Sequence, residues 1–194
     1  MTVTGIVLAA GGSARLGRPK QLLEYRGAPL LAAVLRVARE CRLDQVLVAL
    51  GGAAAEVEAA VDLSGVQVVH NPDFGSGCAS TISRALDEVD PNARGIVLML
   101  GDQPGVRSAT VAALLDVATS DASAVCRYRD GRGHPLWFGR SIFPELRGLH
   151  GDKGVWKLLE SGRIPVLEVP VDAEIPLDVD TWDDYLALQA QDSR

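Results

Sequence analysis

Two cations five positions apart, Arg15 and Lys20, are the residues best suited to chemistry in this chain; they stand among Gly11, Gly12, Ser13, Gly17 and Pro19. Glycine lets backbone N–H groups approach an anion with no Cβ in the way. Arg neutralises it as a fork and Lys as a point charge. The stretch can therefore hold phosphate. Its spacing is neither G-x-x-x-x-G-K-[ST] nor G-x-G-x-x-G. The alternative is a strand-to-helix turn that is merely basic.

Further candidates follow downstream. Asp102, directly after the apolar run 95–100, can hold Mg²⁺, which takes one or two carboxylates plus substrate phosphate oxygens. It can equally be a turn residue in Gly101-Asp102-Gln103-Pro104. Asp178 and Asp180 alternate in an extended run, so both point to one face and one can complete a metal site. Their other reading is helix capping, since acidic residues favour a helix N-terminus. The loop 75–81 offers Ser76, Ser80 and Thr81 to a base or sugar, or is a Gly-rich helix start. His134 is a lone histidine, Gly151-Asp152-Lys153-Gly154 reads as a turn, and Cys78 is a thiol or a small filler. No Ser/His/Asp or Cys/His order suggests covalent catalysis.

The elements that must position these residues read as alternating strands and helices. Strands are expected at 6–10, 45–50, 67–70, 95–100, 123–128, 135–138 and 164–169. Helices are expected at 30–41, 53–61, 79–89, 108–118, 142–149 (short helix or turn), 153–161 and 181–190. Residues 21–29 read as a short extended piece closed by a turn, and 129–134 as a polar loop or hairpin. Thr181 is the expected N-cap of the last helix. The first four strands are near-continuous apolar runs, the mark of parallel strands covered on both faces. The fold class is α/β, a three-layer α/β/α Rossmann-like open, mostly parallel sheet. Ligands of such sheets sit at the carboxyl ends of the strands. The loops 11–20, 71–81 and 101–104 all fall there.

The chain has 194 residues, 47% of them apolar, and a formal charge of −6. That length suits one domain spanning 1–194. The charge argues against nucleic acid as a partner, which would need a basic face. Three cysteines at long spacings, without C-x-x-C, argue against a disulfide framework or a zinc site. No signal peptide or run of 18 apolar residues is visible, so the expectation is a cytoplasmic protein with no membrane partner.

The run Leu8-Ala9-Ala10-Gly11-Gly12-Ser13-Ala14-Arg15-Leu16-Gly17-Arg18-Pro19-Lys20 resembles the L-A-A-G-x-S-x-R-x-G-x-P-K signature of nucleotidyltransferases with a GT-A-like fold. Within them the chain is most similar to the molybdenum cofactor cytidylyltransferases and the related molybdopterin guanylyltransferases. Asn71-Pro72, Gly75 to Ile82, Gly101-Asp102-Gln103-Pro104, Gly133-His134-Pro135, Gly151-Asp152-Lys153-Gly154 and Asp178-Val179-Asp180-Thr181 carry the likeness along the chain.

The resemblance implies transfer of CMP from CTP to the phosphate of molybdopterin, with Mg²⁺, releasing pyrophosphate. It implies that Lys20 and Arg15, with Asp102, serve catalysis. Leu8, Ala9, Ala10, Gly11, Gly12, Ser13, Arg15, Lys20, Asn71, Gly75, Ser76, Gly77, Ser80 and Thr81 would bind nucleotide. Asp102, with Asp180 or Asp178, would hold the metal. Gln103, Arg132, His134, Asp152 and Lys153 would face the acceptor. The nucleotide part would cover about 1–105 and the acceptor part about 106–194, with a molybdoenzyme or cofactor-insertion protein as a partner. A transferase using GTP or another triphosphate, or a sugar phosphate or other phosphorylated acceptor, is the alternative. A non-catalytic cofactor carrier on the same fold is a second. A Rossmann dehydrogenase would need the glycine fingerprint that is missing.

Overall fold

Alternation along the first strand decides where it sits. The structure is a computed structural model that describes residues 2–192. In β1 (Thr2–Ala9), Val3, Val7 and Ala9 enter one hydrophobic cluster, and Ile6 and Leu8 enter another. A strand apolar on both faces must be covered on both. The polar Thr4 between them is fully buried and donates its hydroxyl to Gln45 Oε1 at 2.8 Å.

The remaining strands are β2 (Glu24–Tyr25), β3 (Ala28–Pro29), β4 (Gln45–Leu50), β5 (Gln67–His70), β6 (Ala93–Leu100), β7 (Ser123–Arg127), β8 (Arg132–Gly139) and β9 (Val166–Pro170). The helices are α1 (Leu30–Glu40), α2 (Ala54–Ala60), α3 (Cys78–Leu86), α4 (Ser108–Asp116), α5 (Phe143–Arg147), α6 (Gly154–Glu160) and α7 (Trp182–Asp192). Seven strands form one sheet in the order β5-β4-β1-β6-β8-β7-β9. Only β8 runs against its neighbours β6 and β7, so the sheet is mostly parallel, as expected. β2 and β3 make a separate antiparallel ribbon.

Helices cover both faces. α1, α2 and α4 bring Leu31, Val34, Leu35, Val57, Val111 and Leu114 to the side of Val7 and Val97. α3, α5 and α6 bring Ile82, Ala85, Phe143, Leu146, Leu158 and Leu159 to the side of Ile6 and Leu98. α7 builds a third cluster, in which Tyr185 and Leu188 meet Leu16, Leu23, Tyr25, Leu30 and Val179. Among the described residues no helix is long and apolar enough to cross a membrane.

Several boundaries differ from the sequence reading. β1 starts at Thr2 rather than 6, because the buried Thr4 finds its partner across the strand pair. β8 starts at Arg132 rather than 135; a turn closed by Tyr128 N–H donating to Gly131 O at 2.8 Å makes 123–139 a hairpin. Residues 20–22 form a turn of 3₁₀ helix before the ribbon. α3 stops at Leu86, three residues early.

The loops at the carboxyl edge leave their strands under hydrogen-bond control. Gly101 N–H donates to Leu8 O and Asn71 N–H to Leu50 O, both at 2.8 Å. Gly101 is also a contact point: a Cβ there would lie 2.9 Å from Ala9 Cβ and from Leu8 O. We expect Gly101→Ala to destabilise the protein by about 1–3 kcal/mol through overpacking. Urea unfolding of the variant beside wild type measures this.

Candidate active site

The first loop is built from the strand end outward. β1 stops at Ala9, and residues 10–19 then turn back over its carboxyl end. Leu16 and Gly17 N–H both donate to Ser13 O, at 3.0 and 3.2 Å, which tightens the turn. Ser13 and Gly17 take left-handed φ values of 49° and 69°. For Ser that is a strained conformation, held here because its Oγ accepts from Lys20 N–H at 3.0 Å. Leu16 plugs the loop into the cluster under α7. Gln21, almost fully buried, donates its amide to Ala9 O at 2.6 Å and to Gly11 O at 3.3 Å, stitching the loop to the strand.

Lys20 is the convergence point. Its Nζ lies 2.5 Å from Asp102 Oδ2 and 2.8 Å from Asp180 Oδ1. Arg15 reaches the other oxygen of Asp180 at 2.8 Å. Residues distant in sequence are brought here by backbone and side-chain ties. Val179 N–H donates to Asp102 O at 3.2 Å, and Gln103 Nε2 to Pro176 O at 3.1 Å. Asp184 accepts from Asp180 N–H, Thr181 N–H and the Thr181 hydroxyl, while its own N–H donates to Thr181 Oγ1. This reciprocal cap makes Thr181 the N-cap of α7, as expected.

Charge in the cluster is unevenly protected. Burial works against the Lys20 cation, but the charge and hydrogen bonds of Asp102, joined by those of Asp180, hold its pKa above the ordinary value. Burial raises Asp102, with Lys20 opposing it and Asp178 and Asp180 adding to the rise. Burial also pushes Asp180 upward, yet Lys20 and Arg15 outweigh it and hold that carboxyl low. The shifts of Lys20 and Asp102 pull in opposite senses. We take the pair as ionised, because Nζ sits within hydrogen-bond reach of two carboxylates at once, which a protonated amine satisfies and two neutral acids would not.

A cavity of about 330 Å³ opens beside this cluster. Lys20, Asp102 and Asp152 supply its charges; residues 8–12, Gly75, Gly77 and Thr81 supply its close walls. A larger groove of about 840 Å³ lies between α1, the start of α4 and residues 170–177. It lacks both glycine loops and the Lys–Asp cluster, so the smaller cavity is the candidate site. Phe74 forms one wall: a Cβ on Gly52 would lie 2.7 Å from its ring, and one on Gly51 2.8 Å. The thiol of Cys78 is pushed up to about 11 by burial, then by Asp152 and Asp102, so it lines the cavity as a neutral group.

The remaining sequence candidates have other settings. Asn71 is buried and braces the second loop, donating to Ser80 Oγ and Thr81 Oγ1 at 3.0 and 2.9 Å while accepting from Asp73 N–H. The Ser80 hydroxyl donates to Asp73 O and Gly77 O. Ser76 ends the short 3₁₀ turn before α3. Asp178 is exposed, and its charge reaches Asp102. Gln103 is buried, and its Oε1 has no hydrogen-bond partner. Arg132 of β8 pairs with Glu168 of the edge strand β9. His134 is enclosed, with its ring edge-on to Trp156 at 5.5 Å, and burial lowers its pKa to about 4. Neither Arg132 nor His134 lines the cavity. Lys153 is exposed ahead of α6. Asp152 is in the cavity wall, where its Oδ1 accepts from Cys78 N–H at 2.9 Å.

Sequence reasoning gives Phe74 no role, and Gln21 only a place in the run that continues the motif after Lys20. A polar residue directly after the basic loop, and an aromatic in an otherwise small and polar loop, were the available signals.

The donor set suits a divalent cation. Among the described residues no group of three or more His, Cys, Asp or Glu forms a metal cage. Asp102 and Asp180 nonetheless present hard oxygens around one point, and the Lys20 ammonium stands there as a cation. Two carboxylates completed by substrate phosphates is the arrangement Mg²⁺ favours.

Comparison with known proteins agrees with the fold. A family model described as the MobA-like NTP transferase domain matches residues 5–166. The purine catabolism protein PucB of Bacillus subtilis (strain 168) is 30% identical, covering 93% of each chain. The nicotine blue oxidoreductase of Paenarthrobacter nicotinovorans is 35% identical over 78% of each. The crystal structure of Rv0371c from Mycobacterium tuberculosis H37Rv is 56% identical with a TM-score of 0.93, covering 97% of each chain. Its manganese complex is 53% identical with a TM-score of 0.89, covering 97% of this chain and 98% of that one. Mth528, a nucleotidyl transferase from Methanothermobacter thermautotroptrophicus, is 25% identical with a TM-score of 0.82, covering 98% and 97%.

Two outcomes test the charge cluster. Lys20→Met leaves Asp102 buried without its partner and should cost about 3 kcal/mol. The double variant Lys20→Met/Asp102→Asn should recover much of that loss in denaturant unfolding. The depressed pKa of Asp180 stabilises the fold above its ordinary value of 3.8 and is lost as pH falls through the folded value. The melting-temperature gap between wild type and Asp180→Asn should therefore hold through neutral pH and close as pH falls below the ordinary 3.8 and through the lowered folded value.

Proposed function

This chain belongs to the MobA-like NTP transferase family of nucleotidyltransferases, and we propose that it transfers CMP from CTP to the phosphate of molybdopterin, releasing pyrophosphate. The observation that carries this reading is the Lys20–Asp102–Asp180 cluster at the wall of a cavity lined by the glycine loop. Divalent-metal use is supported by the manganese complex of Rv0371c. We assign Mg²⁺ as the ion used. Asp102 and Asp180 would hold it, and it would supply positive charge to offset that of the triphosphate and of the leaving pyrophosphate. Residues of about 1–105 supply most of the nucleotide site and those of about 106–194 the acceptor side, with Asp152 and Asp180 reaching back to the cavity and the cluster.

In this mechanism an acceptor phosphate oxygen attacks the α-phosphorus, and the bond from that phosphorus to the β-bridging oxygen breaks. The attacking group is already an anion, so no general base is needed. Lys20 and Arg15 leave the carboxylates for the triphosphate and stabilise charge as the bond breaks. Backbone N–H groups of residues 11–17 cradle the β- and γ-phosphates. Gly75, Gly77 and Thr81 border the base and sugar. Lys153 and Gln103 are kept as acceptor-side candidates, outside the lining of the nucleotide cavity.

Transfer to another phosphorylated acceptor, or from GTP, keeps the same cluster and changes only the outer walls.

Thermal shifts with each nucleoside triphosphate plus Mg²⁺ or Mn²⁺ should be largest with CTP; equal shifts for all four would remove the base assignment. Incubation with molybdopterin and CTP should yield pyrophosphate and a product of dinucleotide mass. Background pyrophosphate with every acceptor would favour a carrier instead. Asp102→Ala should stay folded and lose metal-dependent turnover. Lys20→Ala should slow turnover by about 10²–10³-fold, in line with loss of one charge-stabilising donor.

A further inference from the structure

We propose that Asp152 is a positioning residue for the nucleotide, acting across the site through the Cys78 backbone N–H rather than on the acceptor; this rests on the nucleotide-cavity reading above. α3 begins without a cap of its own. Its N-cap position is Gly77, at φ 98°, with no side chain to accept from the first turn. The helix is capped instead from a segment far along the chain. Asp152 Oδ1 accepts from Cys78 N–H at 2.9 Å, and Gly151 O accepts from Ala79 N–H at 3.2 Å. These are two of the otherwise orphaned donors of a helix N-terminus.

The join is close. A Cβ on Gly77 would lie 2.9 Å from Asp152 Oδ1 and 2.9 Å from the Gly151 backbone. Gly151 takes φ 69°, a turn that few side chains tolerate and that aims its carbonyl and the next side chain at α3. Glycine is thus needed on both sides of the contact, on one side for space and on the other for backbone conformation.

What the latch holds is the nucleotide side of the cavity. Gly75, Gly77 and Thr81 line that cavity, and all three lie within four residues of Cys78. Freed from the Asp152 carboxylate, the 74–78 loop and the first turn of α3 lose one of these two fixing bonds and keep only the backbone bond to Gly151 O. The effect should fall on nucleotide affinity, while the chemical step, carried by Lys20 and the two carboxylates, is little changed. Asn can accept the same hydrogen bond as Asp, and the two are equivalent N-caps.

The test compares full-length wild type, Asp152→Ala and Asp152→Asn. Equilibrium binding of CTP with Mg²⁺, steady-state constants for both substrates, and amide hydrogen exchange of residues 77–80 are measured. We expect Asp152→Ala to raise the CTP Kd and KM about tenfold, the scale of one lost hydrogen bond to a charged acceptor. Its kcat and acceptor KM should stay within about twofold, and exchange at 77–80 should quicken by about tenfold on the same footing. Asp152→Asn should return all of these to within about threefold of wild type. A rise confined to acceptor KM, or Asn as impaired as Ala, overturns the proposal. Unchanged exchange at 77–80 in Asp152→Ala overturns the latch itself. Wild type that binds no nucleoside triphosphate overturns the proposed function instead, a result that the exchange data leave separate.

Discussion

One ammonium group between two carboxylates ties the site together. Lys20 comes from the first loop, Asp102 from the end of β6 and Asp180 from the approach to α7, so the contact joins the beginning, middle and end of the chain. Burying such a group costs desolvation unless partners surround it. Here Lys20 and Asp102 are mostly shielded, while Asp180 and Arg15 remain open to solvent. The cluster therefore has a shielded inner pair and a solvent-facing outer pair.

The rest of the architecture explains how that meeting is possible. β1 and β6 are adjacent and parallel, so their carboxyl ends deliver residues 10–20 and 101–104 to one edge. β4 and β5 deliver Gly51-Gly52 and Asn71 to the same edge, where Phe74 lies against the two glycines. Residues 176–180 have no strand of their own. They are held by backbone and amide bonds to 102 and 103, then by the cap on α7. Each loop is anchored at its base and open at its tip, which suits a site that must grip a flexible anion without reorganising its scaffold.

The two halves of the edge differ in kind. Around the cavity, groups converge from three loops within a few ångströms of one another. Beyond it, Arg132 is engaged with Glu168 and His134 is sealed against Trp156 as a neutral ring. Asp152, ahead of α6, reaches the wall of the cavity beside Lys20 and Asp102. The segment before α6 and the start of α3 are therefore joined by a direct contact.

Much of this was legible in the sequence. Apolar runs at 6–10, 45–50 and 95–100 could only be strands covered on both faces, since a residue-by-residue alternation of cores leaves no wet side. The glycines, Arg15 and Lys20 could be read as an anion loop because that chemistry depends on residue type and near-neighbour spacing. The capping of α7 by Thr181 and Asp184 was local and equally visible. What only the tertiary structure decided depends on contacts between distant segments. It chose Asp180 for the cluster and left Asp178 at its edge, because Val179 turns inward and its N–H bonds to Asp102 O. It buried His134 and Asn71, which the family resemblance had implied would face a ligand. It also moved Asp152 to the start of α3, because Gly77 leaves that helix without a cap and a carboxylate from another loop can approach it. Sequence periodicity specifies which face a residue takes within its own element; which element meets that face depends on how the whole chain packs.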